Sequence, residues 1–415
     1  MAFIPGPHLR YEDRVLLTLL SGEQLERSLL DDAGAWQRLI RRARVHRVEP
    51  HLLDALRRLP AGTMPEDVAS SVVLLRRAWT LRSLRQDQRS QKILSTLAQS
   101  GLPVLVLKGP ALAGAAYANP EVRADIADLD LLVPAERHPD ALEAVHDLGY
   151  RLRDQDLALR YHRPFHMHDV LIGEDGHILE MHWALTRPDD LFHLDPEEFF
   201  DHGTTRKDTP GILWTSPTDL LLHTAAQGLG EGFSTLQRII DADGLLRRQA
   251  DNIDWDRLHA SASRGGLSPS LWLLLELARD LLDTPPAPAP PPRPGRLSRT
   301  ALATLDPATS LASTFASQHS SLRLLYTFWL VTGAWQRLRA AVRMIRGQAM
   351  HAARRPRNMT RAAQLATVAN RVVTSAKLSL YQALRLVTWP WRRRHHAASL
   401  HLTPPRMPGA GSSAP

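Results

Sequence analysis

The chain has 415 residues, enough for two or three domains, with 44% hydrophobic residues and no cysteine. The missing thiols exclude disulfides, thiolate zinc sites and a cysteine nucleophile, and they favour the cytoplasm. The net charge of +8 divides unevenly, because from Arg296 onward 18 Lys and Arg face the single acid Asp306, while the part before holds 33 basic and 42 acidic residues. An acidic body thus precedes a basic tail, which suits RNA, an anionic membrane surface, or the body itself.

The opening MAFIPGPHLRYEDR lacks a basic stretch leading into an apolar one, so no secretory signal is expected. No run reaches the ~18 apolar residues of a spanning helix. Residues 1–101 read as helical: VLLTLLSGEQLERSLL and AWQRLIRRARVHRVEPHLLDALRRL space their apolar residues three and four apart, and PEDVASSVVLLRRAWTLRSLRQDQRSQKILSTLAQSG continues the pattern from Pro65 to Gly101. Over 102–200 the period changes to that of a small α/β unit. PVLVLKG and LDLLV predict strands, ALAGAAY and AERHPDALEAVHDLGY predict helices, and FHMHDVLI and HILEMHW predict two strands joined by the turn GEDG.

Helical period returns over 201–284 in SPTDLLLHTAAQGL, STLQRIIDADGLLRR and SPSLWLLLELARDLL, with Ser216 and Ser268 as predicted caps and Pro217 and Pro269 as first-turn prolines. Residues 285–296 form a proline-rich, extended linker. The tail, 297–415, is predicted to hold two long basic helices and a frayed end; its PWRRRHH, after Trp389, mixes aromatic and basic groups as nucleic-acid and interfacial segments do. The expected fold is mostly helical α+β, with a small mixed sheet embedded between helical regions.

The stretch RADIADLDLLV carries the chemistry. On a strand, Asp128 and Asp130 share one face while Leu129, Leu131 and Val133 take the other. Adjacent carboxylates repel unless a cation lies between them, and magnesium or manganese suits oxygen ligands. Glu180, with His182 on its own face, adds a third acid from another strand, the composition of a site for in-line attack on phosphate. His162, His166, His168 and His182 could instead share a zinc, or orient the acids by hydrogen bonds. His223 and the Arg238–Asp241 pair read as a core histidine and a local ion pair, or as groups lining the cleft.

The ordered set VLVLKGPAL, R…DLDLLV, a helix ending LGY, ILEMHWAL, TDLLLHTAAQG, LQRIIDADGLL and IDWDRLHASA resembles the uncharacterised nucleotidyltransferase family of the polymerase-β-like superfamily, over roughly residues 102–285. The resemblance implies a minimal nucleotidyltransferase α/β domain in which Asp128, Asp130 and Glu180 bind Mg2+ or Mn2+ and act in catalysis, with a nucleoside triphosphate as substrate. It also implies that Lys108 and Gly109 stand over the nucleotide phosphates, with Arg123 nearby; a salt bridge from Arg123 to Asp125 is an equal reading. The acceptor stays open among RNA, a peptide or protein, and a metabolite. The alternative is a non-catalytic nucleotide- or RNA-binding accessory protein, cytoplasmic or peripheral at a membrane.

Overall fold

A computed structural model describes residues 11–22, 33–123, 128–153, 166–187, 190, 192–231, 233 and 235–291. Four helices lead the chain: α1 (Tyr11–Ser21), α2 (Ala33–Val45), α3 (Glu49–Arg57) and the 34-residue α4 (Glu66–Gln99). Pro65 takes the N-cap of α4, where its missing N–H is no loss, and Glu66 and Asp67 place negative charge at the positive end of the helix dipole. Gly101, at φ 66°, turns the chain out of it into the sheet.

β1 (Val104–Val106) leads through a turn into α5 (Pro110–Ala116) and then a single 3-10 turn, Pro120–Arg123. β2 (Asp128–Leu132), α6 (His138–His146), β3 (Arg151–Leu152), β4 (His168–Ile172) and β5 (Ile178–His182) follow. After α7 (Pro196–Asp201) come β6 (Thr204–Thr205) and β7 (Ile212–Trp214). The body closes with α8 (Pro217–Glu231), α9 (Gln237–Gln249), α10 (Trp255–Arg264) and α11 (Ser268–Leu282). This is an α+β architecture, a small mixed sheet among helices, as expected.

The seven strands run in the order β3-β4-β5-β2-β1-β7-β6. β2 is parallel to β5 and antiparallel to β1, while β4 and β5 form an antiparallel pair. Leu129, Leu131, Leu179 and Met181 are fully buried and anchor the middle of the sheet. That burial fixes the register, since a slip of one residue would exchange these leucines for Asp128 and Asp130. Helix α6 packs against β5 and α4, and α5 against α8 and α9. The approach of α9 to α5 depends on Gly244, where a Cβ would come within 2.5 Å of the Ala116 carbonyl oxygen.

Three details differ from the sequence expectation. Leu267, not Ser268, is the N-cap of α11, and Ser268 is its first helical residue. The short strands β3, β6 and β7 were not anticipated. Residues 285–291 lack helix and strand, as their prolines require, but they are tied to the body: the Ala289 carbonyl lies 2.8 Å from His259 Nε2, and the preceding Thr284 hydroxyl donates to Asp243. The two tail helices, PWRRRHH, Asp125 and His162 lie outside the described residues. Among the described residues, no helix is long and apolar enough to cross a membrane.

Candidate functional site

The pairing of β2 with β5 sets Asp130 beside Glu180 and Leu132 beside His182. The pairing of β5 with β4 sets His182 opposite His168. Because alternate side chains share a face, Asp128, Asp130, Glu180, His182 and His168 all project from one side of three neighbouring strands. Ligand atoms of Asp128, Asp130 and Glu180 lie within 4.8 Å of one another, and so do those of His168, Glu180 and His182.

Asp130 is the most enclosed member, 1% exposed. Its Oδ1 accepts from Lys108 Nζ at 2.8 Å and lies 3.2 Å from His182 Nε2, whereas the buried Oδ2 has no hydrogen-bond partner. His182 reaches the second acid as well, with Nε2 3.5 Å from Glu180 Oε2. Lys108 lies two residues beyond β1, after Leu107, whose N–H donates to the Asp130 carbonyl. Gly109 then adopts φ 61°, ψ −104°, a turn closed to residues with a Cβ, and Pro110 opens α5.

The electrostatics follow from burial and neighbours. Burial drives the Asp128 carboxyl above its ordinary pKa, and the negative charge of Asp130 adds to the rise. Burial pushes Asp130 the same way, but the Lys108 ammonium and the His182 hydrogen bond outweigh it and hold this carboxyl far below the usual range. Lys108 is correspondingly raised, since Asp130 and Asp128 overcome its desolvation. Burial, with His182 beside it, lowers His168 to about 2. Burial likewise lowers His223, on α8, to about 3, with Lys108 the next largest influence.

Arg123 is engaged elsewhere. Its guanidinium donates through Nε and Nη2 to both oxygens of Asp241, at 2.7 and 3.0 Å, and the Tyr117 hydroxyl donates to the same carboxylate at 2.6 Å. Asp241 has no exposed surface and Arg123 only 5%. Arg123 is thus paired with Asp241, while Asp125, its other expected partner, lies outside the described residues. Arg238 binds Glu231 at 2.8 Å and lies 3.6 Å from Asp241. Its charge also acts on Asp128 and Lys108, lowering the pKa of both. Sequence reasoning did not single out Glu231 or Tyr117; Glu231 lies eight residues after His223 on α8, a helical spacing that could have marked it.

No curated protein and no solved structure matches the chain. A family described as uncharacterised nucleotidyltransferase matches residues 32–283, more than half of the chain and all of the sheet and site described above. The chain belongs to this uncharacterised nucleotidyltransferase family.

Proposed function

We propose that the chain transfers a nucleotidyl group from a nucleoside triphosphate to a hydroxyl of an acceptor, using Mg2+ or Mn2+ held by Asp128, Asp130 and Glu180. The observation that supports this best is the convergence of three carboxylates from two paired strands, with a buried Asp130 oxygen left without a partner. An orphaned buried carboxylate oxygen is costly unless a ligand completes it, and an all-oxygen donor set fits a hard cation. When bound, the metal neutralises phosphate charge and aligns attacking and leaving oxygens.

The chain's own groups supply the rest. Lys108, 17% exposed beside Asp130, offers a point charge to a phosphate oxygen. Glu180, 20% exposed, takes the proton of the acceptor hydroxyl. The hydroxyl oxygen then bonds to the α-phosphorus as the bond to pyrophosphate breaks. His182, between Asp130 and Glu180, fixes the orientation of both acids. Arg123 stays behind the site and positions Asp241 and α9. The acceptor is an RNA, a peptide or protein, or a small hydroxylated metabolite, and the basic tail is suited to an RNA or an anionic membrane surface.

One observation favours a second reading. Lys108 already neutralises Asp130, as a chain that binds nucleotide without turnover could do. Incubating the protein with each labelled triphosphate, Mg2+ and a lysate separates the two. Label transferred to an acceptor, and lost in Glu180→Gln while triphosphate binding is retained, supports transfer. Binding of triphosphate with no transfer to any molecule supports the accessory reading.

A further inference from the structure

We propose a second metal site beside the acids, in which His168, Glu180 and His182 hold a borderline divalent cation of the zinc, cobalt or nickel class. It goes beyond the reading above, in which Glu180 is a metal ligand, His182 only orients the acids and His168 has no part. His168 and His182 are directly opposed across the β4–β5 pair, and Glu180 precedes His182 by two residues, so all three project from one face. Their ligand atoms lie within 4.8 Å of one another, and the two imidazole rings are 4.6 Å apart.

The donor set separates this group from its neighbour. Asp128, Asp130 and Glu180 offer oxygen alone, whereas two imidazoles and a carboxylate form the ligand set of open zinc sites, with a position left for water or substrate. His182 is also prepared for the role: its Nε2 rests 3.2 Å from Asp130 Oδ1, and its buried Nδ1 has no partner. The same Nε2 lies 3.5 Å from Glu180 Oε2, so this nitrogen faces both carboxylates. Orienting the acids does not explain His168, because its Nε2 lies 3.9 Å from Glu180 Oε1, too far for a hydrogen bond. Glu180, facing His168 on one side and Asp130 on the other, would be common to both ions.

The test uses the full chain and metal alone, without nucleotide. Zn2+ affinity is measured by competition with a chromophoric chelator, Co2+ binding by its visible spectrum, and Mg2+ affinity by calorimetry. A single Zn2+ per chain is expected. His168→Gln should weaken Zn2+ at least about tenfold and leave Mg2+ within roughly twofold. Asp128→Asn should weaken only Mg2+, and Glu180→Gln both. Should His168→Gln lower the melting temperature, 15N-histidine spectra of the unsubstituted chain decide instead, since one equivalent of Zn2+ must shift the His168 and His182 imidazoles together. Unchanged Zn2+ affinity in folded His168→Gln, or Zn2+-induced shifts confined to other histidines, would overturn the site. Loss of Mg2+-dependent triphosphate binding in Asp128→Asn bears only on the transfer reading, so the two stand or fall separately.

Discussion

Two of the buried charge clusters among the described residues differ in character. In one, Arg123 and Arg238 are matched against Asp241 and Glu231, with Tyr117 completing the Asp241 shell. In the other, on the sheet face, Asp128, Asp130 and Glu180 converge, Lys108 pairs with Asp130, and Asp130 Oδ2 has no hydrogen-bond partner among the described residues. Burying charge costs free energy in both places. In the first cluster the fold itself supplies the counter-charge; in the second Lys108 pairs with Asp130 alone, and the proposed cation would answer the remaining carboxylates.

Removing one partner from the matched cluster should have the largest effect. Arg123→Met leaves the Asp241 carboxylate buried against Arg238 alone, a loss expected to cost about 3–5 kcal/mol and to lower the melting temperature by roughly 10 °C. Adding Asp241→Leu should recover most of that, because the uncompensated charge goes with it. Thermal denaturation of both variants checks this, and an additive further loss in the double variant would show that the pair is not the reason for the cost.

In the unmatched cluster loss of charge should fall chiefly on ligand binding, although Asp130, held ionised by Lys108 and His182, also contributes to the fold. Asp128→Asn with Asp130→Asn should weaken metal-dependent triphosphate binding at least about 100-fold, or about 2.7 kcal/mol, because amides cannot hold the cation. Calorimetric titration with a triphosphate and Mg2+ measures it, and metal-dependent binding retained by the folded variant would sink the assignment of these acids.

The two clusters were unequally legible in the sequence. Strand alternation in DLDLL and ILEMH was enough to put Asp128 with Asp130, and Glu180 with His182, on one face of each strand, since period two is a local property; the β2–β5 pairing that joins the two faces is not. The partner of Arg123 was not readable, because Asp241 lies 118 residues away and no local pattern states which acid a buried arginine will meet. The Lys108 contact to Asp130 was missed for a related reason: it depends on β1 and β2 being antiparallel neighbours, whereas the lysine alone suggested only a phosphate ligand. The two- and three-residue strands β3, β6 and β7 are too short to carry any period. The cap of α11 was misplaced by one position because Ser268 has the right chemistry for a cap, and its place beside Pro269 does not say which residue turns first.

The smallest expected effect tests the comparison most closely, because it should change sign with metal. Asp128 has its carboxyl raised by burial and by Asp130, so without metal its charge opposes folding at neutral pH. Asp128→Asn should therefore be slightly more stable than the unsubstituted chain at pH 7, by about 0.5 kcal/mol, the scale of a substitution outside the core. A raised folded pKa means that the folded state binds the proton more tightly, so the opposition grows as pH rises through that pKa and vanishes below the ordinary value of 3.8. The gap between the two proteins should accordingly narrow on acidification from neutral pH, even as the depressed Asp241 and Asp130 carboxyls cause both to lose stability. Mg2+ at about 100 times its dissociation constant should stabilise the unsubstituted chain by about 2.7 kcal/mol and the variant by much less, reversing their order. Melting curves at pH 7 with and without Mg2+ read both arms. A variant that is less stable than the parent in the absence of metal would mean that Asp128 is already paired, and the acids of the sheet face would then form a second matched cluster.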